Sequence, residues 1–125
     1  MRRILCVLLS MIMVISMASC SKSDISLKND IRGKTFVWEK DGFGGSFTIS
    51  LDEGGTFEYY EGPLSSYIGC GNWIVQDGKL IMTESDSREA VFHFEIDGDE
   101  LVFISSESDK FQYVDVANGD RFYER

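Results

Sequence analysis

Few residues in this chain have side chains and spacing that could do chemistry. His93 is the only histidine among the 125 residues, so a histidine-based metal site or a Ser-His-Asp or Cys-His catalytic set would have to include it. It lies between Phe92 and Phe94 in an alternating stretch, which places it on the opposite face together with Glu95. We therefore expect His93 to be a solvated residue on the outer face.

The acidic residues do not indicate catalysis either. Asp97-Gly98-Asp99-Glu100 offers carboxylates to calcium, but the glycine favours a hairpin turn and the spacing of an EF-hand is absent. Paired carboxylates are frequent because the chain has 21 acidic against 12 basic residues, and none stands in an apolar setting that would raise its pKa. The chain also lacks a glycine-rich phosphate loop. We predict a protein that is not an enzyme and that binds no metal or cofactor.

The clearest chemical signal in the chain is a cysteine near its start. Arg2 and Arg3 precede an apolar run over residues 4–17, which fits the hydrophobic region of a signal peptide and falls short of the ~20 residues that span a bilayer. Met17-Ala18-Ser19-Cys20 follows directly. It resembles the lipobox of bacterial lipoproteins, in which the cysteine becomes the lipidated first residue of the mature protein.

This resemblance implies an address for the rest of the chain. Residues 1–19 would be a signal peptide, and residues 20–33 would be the lipidated cysteine and a tether. Acyl chains such as palmitate on Cys20 would hold the protein on a membrane outside the cytoplasm, which is the outer membrane in some Gram-negative bacteria. The alternative is ordinary secretion, since Ser16 and Ala18 offer a small-x-small site for cleavage before Ser19.

The remaining cysteines leave the domain without a predicted disulfide. Cys6 lies in the leader, so acylation of Cys20 would leave Cys70 without a partner, and the fold must depend on packing. No basic residue adjoins Cys70 to lower its pKa. We expect a small buried residue rather than a reactive thiol.

The composition of the mature part predicts one packed and acidic domain. The first twenty residues hold two of the 12 basic residues and no acidic one, so the other 105 carry 10 basic and 21 acidic side chains, a net charge of −11. This balance disfavours binding to nucleic acid or to an anionic membrane surface. All 16 aromatic residues follow Cys20, which argues for a packed core rather than an acidic disordered tail. We expect a monomer.

The pattern of apolar residues changes at Lys34. Residues 21–33 are polar apart from Ile25, Leu27 and Ile31, which predicts a short tether with a helical turn that packs on the end of the following domain. From Lys34 onward, apolar and polar residues alternate in short runs, which is typical of half-buried strands. The residues that we expect to point inward are Phe36, Trp38, Phe47, Ile49, Leu51, Phe57, Tyr59, Trp73, Val75, Leu80, Met82, Phe92, Phe94, Ile96, Leu101, Phe103, Phe111 and Tyr113.

Turn-forming pairs separate these runs and set the predicted topology. We count eight strands between Lys34 and Val116, with residues 121–123 as a further short closing segment. Consecutive hairpins make an antiparallel up-and-down meander, which loses its exposed edges by closing into a barrel. The prediction is an all-β domain over residues 34–125, a small barrel of about eight strands preceded by a helical signal peptide. The turn pairs are Gly54-Gly55, Asp77-Gly78, Asp97-Gly98 and Asn118-Gly119.

Over residues 31–125 the chain resembles small bacterial lipocalin-like lipoproteins. The likeness rests on four short stretches, which are Gly33 before the first strand, Asp52-Glu53-Gly54-Gly55-Thr56-Phe57, Gly71-Asn72-Trp73 at a strand start, and Asp97-Gly98-Asp99-Glu100-Leu101.

One lipocalin feature is displaced in this chain. In lipocalins a Gly-x-Trp opens the first strand, and an arginine near the C-terminus packs on that tryptophan. Here Thr35 stands at the tryptophan position. The resemblance therefore implies that Phe36 or Trp38 substitutes, with Arg121 as the stacking cation.

The interior of such a barrel is either filled or hollow at one end. An eight-stranded barrel is just wide enough for side chains to fill it or for one small ligand. The many inward aromatic residues favour a filled interior, with a small apolar pocket at one mouth as the alternative.

A binding site is best sought in the longest connection, over residues 59–71. It combines tyrosines, apolar residues and glycines, and loops of this length are often functional. The alternative is that Leu64, Tyr67 and Ile68 fold back as a lid. The candidate ligand- or partner-binding residues are Tyr59, Tyr60, Tyr67, Ile68 and Trp73.

Two functions remain open from the sequence. The first is a lipid-anchored extracytoplasmic protein with a non-enzymatic binding role, whose partner is a protein or a small apolar molecule. The second is a structural or inhibitory module that presents an acidic surface to a cell-wall enzyme or another basic partner.

Overall fold

A computed structural model describes residues 23–38, 47–62, 66–86 and 88–125. The predicted signal peptide and the lipidated Cys20 lie outside the described residues. So do Pro63 and Leu64 of the predicted binding loop. No helix in the described ranges is both long enough and apolar enough to cross a membrane.

Eight antiparallel strands form a closed barrel in which every strand pairs with its neighbour in sequence. Closure is made by the last strand, which pairs with the first through Phe36↔Glu124 and Val37↔Tyr123. The predicted all-β, up-and-down barrel is confirmed, and its architecture is lipocalin-like. The strands are β1 (Thr35–Trp38), β2 (Phe47–Leu51), β3 (Thr56–Tyr60), β4 (Ile68–Gln76), β5 (Lys79–Glu84), β6 (Val91–Asp97), β7 (Glu100–Phe103) and β8 (Arg121–Glu124).

The eighth strand is not the one that alternation predicted. Phe111 and Tyr113 lie in an irregular segment, and the closing strand is β8 instead. Phe122 supplies the inward residue of β8 and is fully buried, whereas Tyr113 is 60% exposed, so its predicted inward orientation is wrong. Phe111 is buried without belonging to a strand because its ring stacks on Phe92 with a centroid distance of 4.1 Å.

The other predicted inward residues are buried or packed against the core. Val75 and Ile96 are only partly buried, because each stands near the end of its strand. All the rest of that set belongs to the buried core. Strict alternation therefore identified the interior well wherever it fell within a strand.

One end of the barrel is covered by helix α1 (Asp24–Ile31) and is called the helix end below. The Ser23 side chain caps the helix by accepting from the Ser26 amide. The Asp24 carboxylate accepts hydrogen bonds from the amides of Asp77 (3.1 Å) and Gly78 (2.9 Å) in the β4–β5 turn. The buried Ile31 completes the cover, whereas Ile25 is 76% exposed. The predicted helical turn therefore forms, but Ile25 does not pack on the barrel as expected.

The opposite end carries the long connections and is called the loop end. Their described residues are 61–62 and 66–67 after β3, 85–86 and 88–90 after β5, and 104–120 after β7. The longest holds a 3₁₀ turn at Ser105–Glu107 and the buried Phe111.

Aromatic rings fill the interior at the loop end. Phe111 stands edge-on to Phe47 at 4.8 Å and to Tyr59 at 5.3 Å, and Phe47 stands edge-on to Phe122 at 5.2 Å. These are favourable distances for aromatic pairs. These contacts agree with the filled interior that the aromatic content predicted, and a cleft of about 270 Å³ lined by Phe103, Phe111 and Val116 lies at the same end.

The tryptophan–arginine stack implied by the lipocalin resemblance does not form with Arg121. Its guanidinium binds Asp97 Oδ2 at 3.0 Å and Glu100 Oε2 at 2.5 Å on the outer face. Trp38 donates its Nε1–H to Asp120 at 3.2 Å. Two carboxylates in the adjacent hairpin attract Arg121 more strongly than a ring does. A cation does lie over Trp73, where Lys28 Nζ is 5.7 Å from the ring centroid.

Candidate functional site at the loop end

Two glutamates occupy inward positions where strands reach the loop end. Glu84 continues the inward series of β5 after Leu80 and Met82, and Glu61 continues the series of β3 after Tyr59. Their exposed fractions are 2% and 1%. Both carboxylates are therefore carried into the barrel mouth by the same two-residue period that buries the aromatic core.

Glu84 is contacted by the hydroxyls of two tyrosines. The Tyr59 hydroxyl donates to Oε1. The Tyr67 hydroxyl has a single proton, which it donates in its shorter contact to Asp86, and its oxygen lies 3.1 Å from Glu84 Oε2. Arg88 Nη1 stands 3.7 Å from Glu84 Oε1. We call Tyr59, Tyr67, Glu84, Asp86 and Arg88 the mouth network.

Burial changes the acid–base properties of this network. Removal from water raises the pKa of Glu84, because the charged carboxylate loses hydration. Burial, together with the bond to Glu84, raises the pKa of Tyr59. The pKa of Tyr67 is raised chiefly by its hydrogen bond to Asp86, and the same bond lowers the pKa of Asp86. The prediction that no carboxylate stands in an apolar setting is therefore wrong.

Glu61 ties the longest connection to the barrel. Its Oε1 accepts hydrogen bonds from the backbone amides of Tyr113 (2.9 Å) and Val114 (3.2 Å). Its Oε2 is buried and has no hydrogen-bond partner among the described residues. One oxygen of this carboxylate is thus structural, and the other is buried without a hydrogen-bond partner among the described residues.

The connection between β3 and β4 is shorter than the sequence suggested. Strand β4 begins at Ile68, so residues predicted as loop up to Gly71 belong to the sheet. A Cβ at Gly69 would lie 2.1 Å from the Tyr59 ring, and one at Gly71 would lie 2.0 Å from the Thr83 carbonyl oxygen. Both glycines are required by close approach, rather than by flexibility.

The structure brings together only two of the five predicted binding residues. Tyr59 and Tyr67 meet at the loop end with centroids 6.3 Å apart. Tyr60 and Ile68 pair across β3 and β4 on the outer face. Trp73 is buried, with its Nε1–H donated to the Asp52 carbonyl at 3.1 Å. The five residues therefore do not form one site.

Two other sequence expectations need correction. Cys70 is exposed rather than buried, because it occupies an outward position of β4 opposite Glu58. His93 does lie on the outer face, but it is half-buried. Its amide donates to Ser108 Oγ at 2.8 Å, and its Nδ1 is buried without a hydrogen-bond partner among the described residues. The segment after β7 covers it.

Sequence reasoning missed Glu61 and Glu84 as functional candidates. The signal was present, because each stands two residues beyond an inward aromatic or apolar residue. Glu61 fell within the predicted connection over residues 59–71, and neither glutamate was singled out. Within the described ranges, no three His, Cys, Asp or Glu side chains are arranged to hold a metal ion.

The mouth can hold charge and donate or accept hydrogen bonds in a dry setting. Both oxygens of Glu84 lie against tyrosine hydroxyls, whereas Glu61 Oε2 is buried without a hydrogen-bond partner among the described residues. Comparison with known proteins adds no further constraint, since no family model, no curated protein and no solved structure matches this chain.

Proposed function

We propose that this chain is a lipid-anchored extracytoplasmic protein, a small lipocalin-like lipoprotein that binds a partner through the loop end of its barrel. Cys20 would carry the acyl chains, palmitate among them, after removal of residues 1–19. The observation that carries the proposal is the position of α1 at the end opposite the mouth network.

That position would orient the barrel on the membrane. Cys20 precedes Asp24 by four residues, which reach at most about 14 Å when extended. Asp24 is bonded to the β4–β5 turn at the helix end. An acyl anchor at Cys20 would therefore hold the helix end against the bilayer, and the loop end would face away from it.

The packing of the loop end favours a protein partner over a small apolar ligand inside the barrel. The Phe47, Tyr59, Phe92 and Phe111 rings are in contact there. Tyr113 nevertheless presents 60% of its surface to solvent beside the buried Glu61. An exposed tyrosine next to polar groups is typical of protein contact surfaces.

A non-enzymatic role agrees with the bonding of the mouth network. A general base needs a free lone pair directed at a substrate. Glu84 Oε1 accepts from Tyr59 and Oε2 lies against the Tyr67 hydroxyl, while Arg88 donates to the Lys110 carbonyl as well as lying near Glu84. These groups stabilise one another.

The alternative function is an acidic structural or inhibitory module that acts on a cell-wall enzyme or another basic partner. It is supported by the net charge of −9 for the chain. Exposed Glu58 and Glu95 lie on the outer faces of β3 and β6. Replacing both with lysine should abolish capture of a basic partner, and unchanged capture would contradict this alternative.

Two exposed tyrosines provide a matched test of the leading proposal. A photo-crosslinking residue at position 113 probes the loop end, and one at position 123 probes the outer face of β8, where Tyr123 is 53% exposed. In intact cells, we expect a protein adduct from position 113 and none from position 123. Equal adducts from both positions, or none from 113, would contradict partner binding at the loop end.

The orientation is tested with the same full-length chain. A fluorophore on Ile25→Cys, in a Cys70→Ser background, should be quenched by bilayer-borne quenchers, because Ile25 is exposed on α1. A fluorophore on Tyr113→Cys should not be quenched. The reverse pattern would overturn the proposed orientation.

A further inference from the structure

Glu61 carries a buried carboxylate oxygen for which the described residues of the loop end supply no hydrogen-bond donor. The residue is 1% exposed, and its Oε2 has no hydrogen-bond partner among the described residues. A buried polar atom without a partner costs free energy on the order of 1–3 kcal/mol, and a charged one costs more. A ligand that donates to Oε2 would recover this energy.

The other oxygen of Glu61 restricts the geometry of such a donor. Oε1 already accepts from the amides of Tyr113 and Val114. A guanidinium binds a carboxylate best through two parallel bonds to both oxygens. Since one oxygen is occupied, Glu61 favours a single-point donor, which is a primary ammonium.

Aromatic residues are close in sequence to Glu61 and to the segment that it binds. Tyr59 precedes it by two residues on the same inward face, and Phe111 precedes the two amides that it binds. The Tyr59 ring lies 5.3 Å from Phe111 and 6.3 Å from Tyr67. These buried rings exclude water from the surroundings of the carboxylate, and a hydrogen bond between charged groups is stronger in such a setting.

No positively charged side chain among the described residues neutralises Glu61. Arg88 is engaged with Glu84 and with the Lys110 carbonyl. None of the ion pairs between described residues includes Glu61. The acidic chain attracts cations over long range. A calcium ion needs six to eight oxygens, and the described acids form no such group.

We propose that the loop end is a binding site for a primary alkylammonium group, with Glu61 Oε2 as its acceptor and the Tyr59, Tyr67 and Phe111 rings as its apolar surroundings. This inference rests on the proposed function for the location of the binding surface and names the chemistry recognised there. Both a lysine side chain of a protein partner and a free alkylamine carry this group.

Binding of small probes to the full chain in detergent tests the site. We expect n-butylammonium to shift the backbone amide resonances of Tyr113 and Val114, because both amides bind the same carboxylate. Tetramethylammonium, which has no N–H, should bind about tenfold or more weakly. If n-butylammonium leaves these resonances unmoved, or tetramethylammonium binds equally well, the proposal is overturned.

A pair of charge-matched variants separates the site from general electrostatics. Glu61→Gln should weaken n-butylammonium binding about tenfold or more, whereas Glu95→Gln, on the exposed outer face of β6, should leave it unchanged. Equal weakening in both variants would mean non-specific attraction and would overturn the site. The amide shifts of the unmodified chain decide the question if Glu61→Gln does not fold.

The affinity of a lysine derivative with blocked termini shows whether the ammonium group comes from a protein or from a free amine. N-acetyl-lysine methylamide should bind more tightly than n-butylammonium if the ligand is a partner's lysine, whereas similar affinities indicate a free amine. Crosslinking from position 113 tests partner binding at the loop end separately from the ammonium site. If n-butylammonium fails to bind while the partner adduct at position 113 still forms, the ammonium site is overturned and the proposed function stands.

Discussion

The Tyr59 ring occupies the space that a side chain at Gly69 would fill. The two residues are paired across β3 and β4, and a Cβ on Gly69 would stand 2.1 Å from Tyr59 Cε1. This contact lets the strand pass directly over the ring and aims the Tyr59 hydroxyl at Glu84. The polar mouth therefore depends on a glycine in the neighbouring strand.

Gly69→Ala should destabilise the barrel by about 1–3 kcal/mol, because the added methyl group overlaps a packed ring. Chemical denaturation measures the change. Cys70→Ala, one residue further on an exposed position of β4, is the matched control and should have little effect. Tyr59→Leu should relieve part of the cost in a double mutant. Strict additivity of the two changes would contradict the contact.

Glu84→Gln should alter how stability depends on pH. The native state holds the Glu84 proton to higher pH than the unfolded chain, whose glutamates titrate near about 4.3, because burial raises its pKa. Its contribution to the free energy of unfolding is therefore present at acid pH and is lost as pH rises above that value. The variant should gain stability relative to the unmodified chain between about pH 4 and pH 7. A constant difference across this range would contradict the burial argument.

Tyr59→Phe should destabilise the native state by about 1–3 kcal/mol at neutral pH, because Glu84 Oε1 loses its hydroxyl donor. The pKa of Tyr59 is raised in the native state, so an unfolded chain ionises this phenol first, near about pH 10. The advantage of the unmodified chain over the variant should therefore shrink above that pH. Denaturation series at several pH values measure it, and an advantage that grows in alkali would contradict the assignment.

Alternation predicted the strands well, because seven of the eight contain at least two inward apolar residues. Strand β8 has only Phe122 facing inward, and it forms because closure of the barrel supplies partners on both sides. That long-range pairing leaves no periodic signal in four residues. Phe111 and Tyr113 show the opposite case, because they alternate as in a strand but belong to none. Phe111 is buried because its ring stacks on Phe92.

The buried glutamates of the loop end were harder to predict than the fold. Glu61 and Glu84 have the inward phase, but a charged residue is normally placed outside, and only the three-dimensional positions of Tyr59, Tyr67 and two backbone amides explain their burial. Gly69 and Gly71 suggested a loop because glycine is disfavoured in strands. Their role is visible only beside the groups that they approach.

Asp24→Ala should loosen the attachment of α1 to the barrel. The carboxylate accepts from the amides of Asp77 and Gly78, so its loss should cost about 1 kcal/mol. Hydrogen exchange at the Gly78 amide should accelerate in this variant. Asn29→Ala, at an exposed position of the same helix, serves as the control. Unchanged exchange in Asp24→Ala would contradict the docking of the helix through this residue.

The most direct test of the anchored-protein account is mass spectrometry of the chain recovered from the membrane fraction of cells that express it, beside Cys20→Ala. We predict an acylated N-terminus at residue 20 in the unmodified chain and loss of that species in the variant. An unmodified chain that begins at Ser19 would instead indicate ordinary secretion and would contradict the account.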